Sequence, residues 1–380
     1  MALHLTFGLM LCFFASITAA RIVLSLYALH LGAQASAVGL LVASFYALPL
    51  ILSWPIGKHS DRAGSRWLLL FGSVCGTCSM LIPYFVRNLA ALYVAGTLVG
   101  LAFTFYNVLL QNLVGVLSKP HERARNFSNA SLVGATTNFF GPLLAGLAID
   151  HLGAPAACLL PVSLALAGGV LVGVRGGVLP GGSGKAGSGG TIRDILDGKG
   201  VVTILVTSGL VQVGQDLFQF YIPVYGHSIG LSASAIGAVL ASFAMASFVV
   251  RFVMPRLVLR LGEERLLAYS FYLAGAGFLL IPLFQHPLML GLVSIMFGLG
   301  MGCGQPITTM LIFSRCAEGR SGETLGLRQT MNNVMRVSAP PLFGFFVSVL
   351  GLFSVFWINA LMMAAGGWLS RASAPDQPRE

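Results

Sequence analysis

Four charged side chains stand inside long apolar runs of this chain: Arg21, Asp216, Arg251 and Arg336. Ionisable groups in such settings are costly and default to functional candidates. Asp216 is the only deep carboxylate. A carboxylate in a low-dielectric site can take up and release a proton, so Asp216 is the candidate for proton coupling; a fixed ion pair is the other reading. A guanidinium offers two parallel N–H donors to a carboxylate or phosphate. Arg336 is therefore read as the anchor for an anionic group, either on a ligand or on Asp216 as a distant partner. Arg251 stands about a turn from the end of its apolar run and is expected to snorkel to the surface.

Amides gather near these charges. Gln212, Gln215, Asp216 and Gln219 share one helical face, as do Asn332, Asn333 and Arg336. Asn107, Gln111 and Asn112 form a patch beside Tyr106, and Gln305 precedes Pro306. Lipid cannot satisfy such groups, so these faces must meet other helices or water. They are candidates for lining a cavity, with interhelical hydrogen bonding as the plainer alternative. Gly298, Gly300, Gly302 and Gly304 read as a close-packing surface between helices.

The elements that position these residues are membrane spans. The chain has 380 residues, 56% hydrophobic and 9% charged, where a soluble domain carries about 25% charged residues. A helix needs about 20 apolar residues to cross a bilayer. Twelve segments qualify: 4–30, 37–57, 66–86, 89–116, 126–150, 154–174, 200–225, 234–256, 265–284, 287–313, 324–350 and 352–370. The formal net charge of +10 lies in the connections between spans, where it sets topology, so nucleic acid is not the expected partner. The first segment lacks a basic leader and is kept as a span despite a cleavable-looking Thr18-Ala19-Ala20. Cys75 and Cys78 form a C-x-x-C with no second pair and no nearby His, so neither a metal nor a cofactor is expected. There is no H-E-x-x-H, nucleophile elbow or nucleotide loop, and an enzyme is not expected.

The two halves repeat. A shift of 198 residues brings Gly32 onto Gly230, Phe45 onto Phe243, Arg62 and Gly64 onto Arg260 and Gly262, Gly100 onto Gly298, Asn107 onto Gln305, Asn138 onto Arg336 and Gly153 onto Gly351. Arg21 falls on Gln219, one turn beyond Asp216. Between the copies lies a Gly- and Ser-rich stretch of linker composition. The expected organisation is an N-terminal six-helix bundle at 1–174, a linker at 175–199 and a C-terminal six-helix bundle at 200–380. Basic residues crowd alternate connections, which places both termini, the linker and the 57–67 connection in the cytoplasm.

That connection reads Gly57-Lys58-His59-Ser60-Asp61-Arg62-Ala63-Gly64-Ser65-Arg66-Trp67. It resembles the G-x-x-x-D-R-x-G-x-[RK] loop of the major facilitator superfamily, matched by Gly57, Asp61, Arg62, Gly64 and Arg66. The resemblance implies an all-α membrane protein of twelve transmembrane helices in two pseudo-symmetric bundles that rock about a midplane site. It implies that Asp61 meets the eleventh helix and that the five motif residues govern conformational switching. In the family the first and seventh helices face each other across the cavity, so Arg21 and Asp216 would pair as a latch. Gly141-Pro142-Leu143-Leu144-Ala145-Gly146 resembles, in part, the G-P-x-x-G-G signature of drug exporters, and a kink is expected at Gly141 and Pro142. The arginine that the family carries four residues before Gly100 is absent; Gly96 stands there.

The resulting expectation is a monomeric, proton-coupled exporter of a small organic anion or zwitterion in a bacterial inner membrane. Arg21, Asn107, Gln111, Asn138, Gln212, Gln215, Asp216, Gln219, Gln305, Asn332 and Arg336 are its candidate substrate and coupling residues. A broad-specificity multidrug antiporter is the alternative, and a non-transporting sensor on the same fold a further one.

Overall fold

Long apolar runs, separated by glycines and short polar turns, fold here into helices whose ends are set largely by backbone chirality. The computed structural model describes residues 2–33, 35–181, 192–198, 200–231, 233–316 and 319–372. Residues 182–191 and 199 of the expected linker and the last eight residues lie outside this set. In chain order the α-helices are α1 (Ala2–His30), α2 (Ala35–Ala63), α3 (Ser65–Phe85), α4 (Leu89–Val116), α5 (Arg123–Leu152), α6 (Ala154–Ala157), α7 (Leu159–Arg175), α8 (Ile192–Leu196), α9 (Val201–Ser228), α10 (Ala233–Leu261), α11 (Glu263–Leu280), α12 (Pro287–Met301), α13 (Gly304–Arg315), α14 (Ser321–Leu350) and α15 (Phe353–Ala372). Among the described residues there is no strand. Ten helical segments among them are long and apolar enough to cross a membrane.

The repeat is written into the backbone. At the same offset α2 superposes in sequence on α10, and α5 on α14, residue for residue at both ends. Gly32, Gly64 and Gly153 have φ of 80°, 80° and 82°, and their counterparts Gly230, Gly262 and Gly351 have 80°, 80° and 81°. Only glycine reaches this region without a Cβ clash, so each residue stops a helix and turns the chain. Side-chain packing repeats too. A Cβ on Gly298 would lie 2.5 Å from the carbonyl oxygen of Phe243, and one on Gly100 would strike that of Phe45. The glycines at these two places let neighbouring helices touch backbone to backbone, as the close-packing reading of the Gly298–Gly304 run requires.

The described chain divides into two compact units. Unit 1 comprises Met1–Asn126, Ala130–Thr191 and Cys316–Asn333; unit 2 comprises Phe127–Asn129, Ile192–Arg315 and Val334–Glu380. The first turns of α14 thus belong with unit 1 and its remainder with unit 2. In unit 1, Phe13 stacks on Tyr106 at 4.0 Å, and the Tyr106 hydroxyl donates to the Gly72 carbonyl at 2.7 Å. In unit 2, Phe218 stacks on Phe297 at 4.3 Å, with Phe243 and Phe278 at the edges.

One span differs from its expected form. The tenth segment is broken at Gly302 and Cys303 into α12 and α13. A break frees carbonyls that lipid cannot satisfy. Here Gln215 Nε2 donates to Met301 O at 2.9 Å and Arg251 Nε to Gly302 O at 3.1 Å. Arg251 therefore caps a helix end inside unit 2, which corrects the expectation that it snorkels. At the expected kink, Gly141 lets α5 close on Thr18 of α1, whose hydroxyl donates to Thr137 O at 3.0 Å; the side chain of Pro142 lies outside the described residues.

Candidate functional site

In unit 2 the charged site assembles on α9, α13 and α14. Arg336 Nε donates to Asp216 Oδ2 at 2.9 Å. Gln212, one turn before Asp216, donates through Nε2 to Asp216 Oδ1 at 2.9 Å. Gln305 Nε2 in turn donates to Gln212 Oε1 at 3.0 Å. Both oxygens of the carboxylate are thus engaged, and two amides are ordered behind it. The Asp216 and Arg336 side chains remain 34% and 24% exposed, so the pair is held but reachable. Gln219, on the same face of α9, is exposed. Of the two partners that the sequence offered Arg336, a ligand anion and Asp216, the structure shows the Asp216 carboxylate against it.

In unit 1 Arg21 lies among aromatic rings. Its guanidinium carbon stands 4.8 Å from the ring centre of Phe103, 5.4 Å from Tyr46 and 5.8 Å from Phe45. These are cation–π distances. Phe103, Asn107 and Gln111 follow at four-residue steps on α4, and all three are half-buried. Gln111 donates to Asn107 Oδ1 through its amide nitrogen and accepts from Arg328 Nη1 at 3.5 Å. Arg328 is 1% exposed. It was not among the sequence candidates, although it shares a helical face with Asn332 and Arg336 at steps of four; that register was the available signal. Asn332 is buried, and Asn138 is exposed.

The motif connection closes on the start of α14 within unit 1. Asp61 Oδ1 accepts the Gly322 N–H at 2.8 Å, and Oδ2 the Glu323 N–H at 2.9 Å. A carboxylate on the first turn of a helix satisfies donors that have no partner within the helix. Asn112 joins them, its Oδ1 accepting from Ser321 Oγ at 2.6 Å. Glu323, almost fully buried, is met by Arg320 Nε at 2.7 Å and Lys58 Nζ at 3.8 Å. Gly57 has no room for a side chain, because a Cβ would run into the Gly322 carbonyl. Arg66 donates to Gly173 O at 3.0 Å, and Arg62 is exposed. Burial pushes the Asp61 carboxyl up to about 6, against the opposing pull of the two backbone N–H groups. A cavity of about 210 Å³, lined by Ser60, Asp61, Asn112 and Ser321 among others, adjoins it.

Repeated apolar helices of membrane-spanning length define a multi-pass membrane protein. The chain belongs to the Major Facilitator Superfamily, whose family model matches residues 6–340 and 208–380. It is 19% identical over 372 residues to an uncharacterised MFS-type transporter of Methanocaldococcus jannaschii, covering 92% of each chain. Its fold is that of the E. coli fucose:proton symporter (TM-score 0.82, 14% identity, 98% of each chain). It is equally that of the human organic anion transporter MFSD10 (TM-score 0.79, 14% identity, 97% of this chain and 98% of that one). A bacterial homologue of the iron transporter ferroportin matches at a TM-score of 0.80, with 16% identity and 98% coverage of both chains. The twelve-helix architecture expected from the sequence is thus that of a known transporter fold.

Proposed function

We propose that this protein is a proton-coupled secondary transporter of a small organic anion or zwitterion, working by alternating access, and not an enzyme. The observation that carries the reading is the Asp216–Arg336 pair. An ionised Asp216 competes with any ligand anion for the guanidinium. A proton on Asp216 removes that competitor, so proton and anion load together. Gln212 and Gln305 are then placed to hold the neutral acid or to contact the ligand. Loading together favours symport, with the anion following the proton. The human organic anion transporter of the same fold is a carrier for this ligand class, and the E. coli symporter one for this coupling. Export by antiport is the second reading, favoured by the close α1–α5 contact at Gly141 in the segment that resembles the exporter signature.

The excess of basic residues in alternate connections supports a topology with both termini and the motif in the cytoplasm, and the reading takes the protein as a monomer of the inner membrane. The test is a thermal-shift panel of organic anions and lipophilic cations on purified protein, wild type beside Arg336→Ala, followed by flux in liposomes. Stabilisation by anions that vanishes in the variant, with flux following an inward proton gradient, is the expected result. Stabilisation by cations that ignores Arg336 overturns it in favour of multidrug efflux. Anion efflux driven by external acid selects antiport.

A further inference from the structure

The amides behind Asp216 join it to the break in the tenth span. Gln215, on the same face of α9, donates to Met301 O at the end of α12, and Arg251 donates to Gly302 O. The end of α12 is therefore held from two sides. The start of α13 is held differently. Gln305, its second residue, reaches α9 through the amide of Gln212. Gly304 packs so closely there that a Cβ on it would lie 2.7 Å from Val211 Cγ1. At its far end α13 sets Phe313 near Phe127 of α5, with ring centres 6.2 Å apart. Arg336 is the charged group against Asp216. Of the elements packed on α9, α12 has no charged residue, and α13 and α15 carry Arg315 and Arg371 in their last turns. The α10 helix brings Arg251 to the break and carries Arg256 and Arg260 further along, and α8 carries Arg193 and Asp194.

An ionised carboxylate only accepts. Gln212 must then present Nε2 to Asp216 and Oε1 to Gln305, as it does here. A proton from solvent reverses this order. Oδ2 faces Arg336, whose guanidinium only donates, so the proton is held at Oδ1, where the partner can turn. Once Oδ1 carries a hydrogen it donates, and Gln212 must offer it Oε1. The Nε2 of Gln212 then meets the Nε2 of Gln305, donor against donor. Both side chains are half-buried, and donors left facing each other there are costly. Gln305 must turn its own Oε1 toward Gln212 or part from α9. We infer that Gln212 and Gln305 are positioning residues that carry the protonation of Asp216 to the first turn of α13 by reversing the direction of two hydrogen bonds. The proton itself stays at Oδ1, and no bond between heavy atoms forms or breaks. This rests on the reading of Asp216 as the proton carrier and adds the step by which the proton acts on a helix.

The test is an infrared difference spectrum of the purified protein between about pH 8 and about pH 5, with glutamine isotope-labelled in its side-chain amide. The acid C=O band that Asp216→Asn removes marks the proton. The amide bands that Gln212→Met and Gln305→Met remove mark the two glutamines. In wild type all three should change together, with midpoints within about half a pH unit of one another. Gln212→Met should silence the Gln305 band while Asp216 still titrates, and Gln305→Met should leave Gln212 responding. A merely structural role would not produce that order. Backbone amide exchange in the first turn of α13, corrected for its intrinsic pH dependence, should change about tenfold between the two pH values in wild type and less than about twofold in either glutamine variant. Should Gln212→Met not fold, the wild-type bands and Gln305→Met still decide. Glutamine bands that ignore pH while Asp216 titrates, a Gln305 band that still titrates in Gln212→Met, or α13 exchange that follows pH as strongly in Gln305→Met as in wild type overturns the relay alone. An Asp216 that takes up no proton across this range overturns the coupling reading and the relay with it.

Discussion

Asp61 and Gly322 meet carboxylate to amide at 2.8 Å, at a point where Gly57 and Gly322 leave no room for a side chain between their backbones. This contact fixes α14 by its first turn, and it can be loosened without touching either charged site. Gly57→Ala should force the contact apart. The protein is expected to insert normally and to lose most transport, with a melting temperature lowered by an amount corresponding to about 1–3 kcal/mol of overpacking. Flux and melting measured on the same preparation check this; unaltered transport would show that the contact does not limit cycling.

Acidity acts on the same contact with a definite sign. The Asp61 carboxyl is raised from 3.8 to about 6 by burial, with Glu323 adding to the rise and the Gly322 and Glu323 amides and Asn112 opposing it. Lys58 and Arg320 also face the cluster through Glu323. A raised value means that the closed contact holds its proton more tightly than the open, solvated one. The proton-linked stabilisation is complete below about 3.8 and is lost as pH rises through about 6. Distances between spin labels at Arg62 and Gly319, in a background without native cysteines, should show the closed population growing from pH 7 to pH 5. Asp61→Asn should flatten that curve.

The Asp216–Arg336 pair makes a double-mutant prediction. Either single neutral substitution strands the other charge. Asp216→Asn or Arg336→Gln alone should destabilise by about 1–3 kcal/mol, less than a fully buried pair because both side chains are partly exposed. The double variant should recover part of that loss, since the residues touch and their effects cannot add. Melting curves of the four proteins read the coupling directly. In liposomes Asp216→Asn should also abolish gradient-driven accumulation while exchange persists.

At the broken span, Arg251→Met removes a charged donor from Gly302 O and leaves a helix end uncapped in apolar surroundings. A cost of about 1–3 kcal/mol is expected. Arg251→Lys should recover some of it, a result that a residue merely reaching for the membrane surface would not give.

Much of this architecture was legible because it follows from patterns that one chain repeats to itself. The offset that matched Gly32 with Gly230 also matched the ends of α2 with α10 and of α5 with α14, since apolar length and left-handed glycines set those ends locally. The motif and the α9 face were legible for the same reason: spacing along a helix decides which residues share a side. What could not be read was which helix each face would meet. Arg336 could have met a ligand alone, and it is packing within unit 2 that sets it against Asp216. Arg251 looked like a surface residue because the carbonyl it caps is freed by a break some fifty residues later in the sequence. Tyr46 and Phe103 carry no pattern that points to Arg21, and only the packing of α1, α2 and α4 brings their rings to it.

The six paired glycines have a consequence for descent. Both copies of the ancestral unit kept their turning points to within a few degrees, yet Asp61 has become Leu259 in the second copy, Arg336 stands where the first has Asn138, and the cation of the first copy faces rings. Inheritance has been strict for the places where the chain must bend and loose for the charged side chains between them. A new specificity in such a protein is thus open to a handful of side-chain changes, while the scaffold that carries them stays under separate and older constraint.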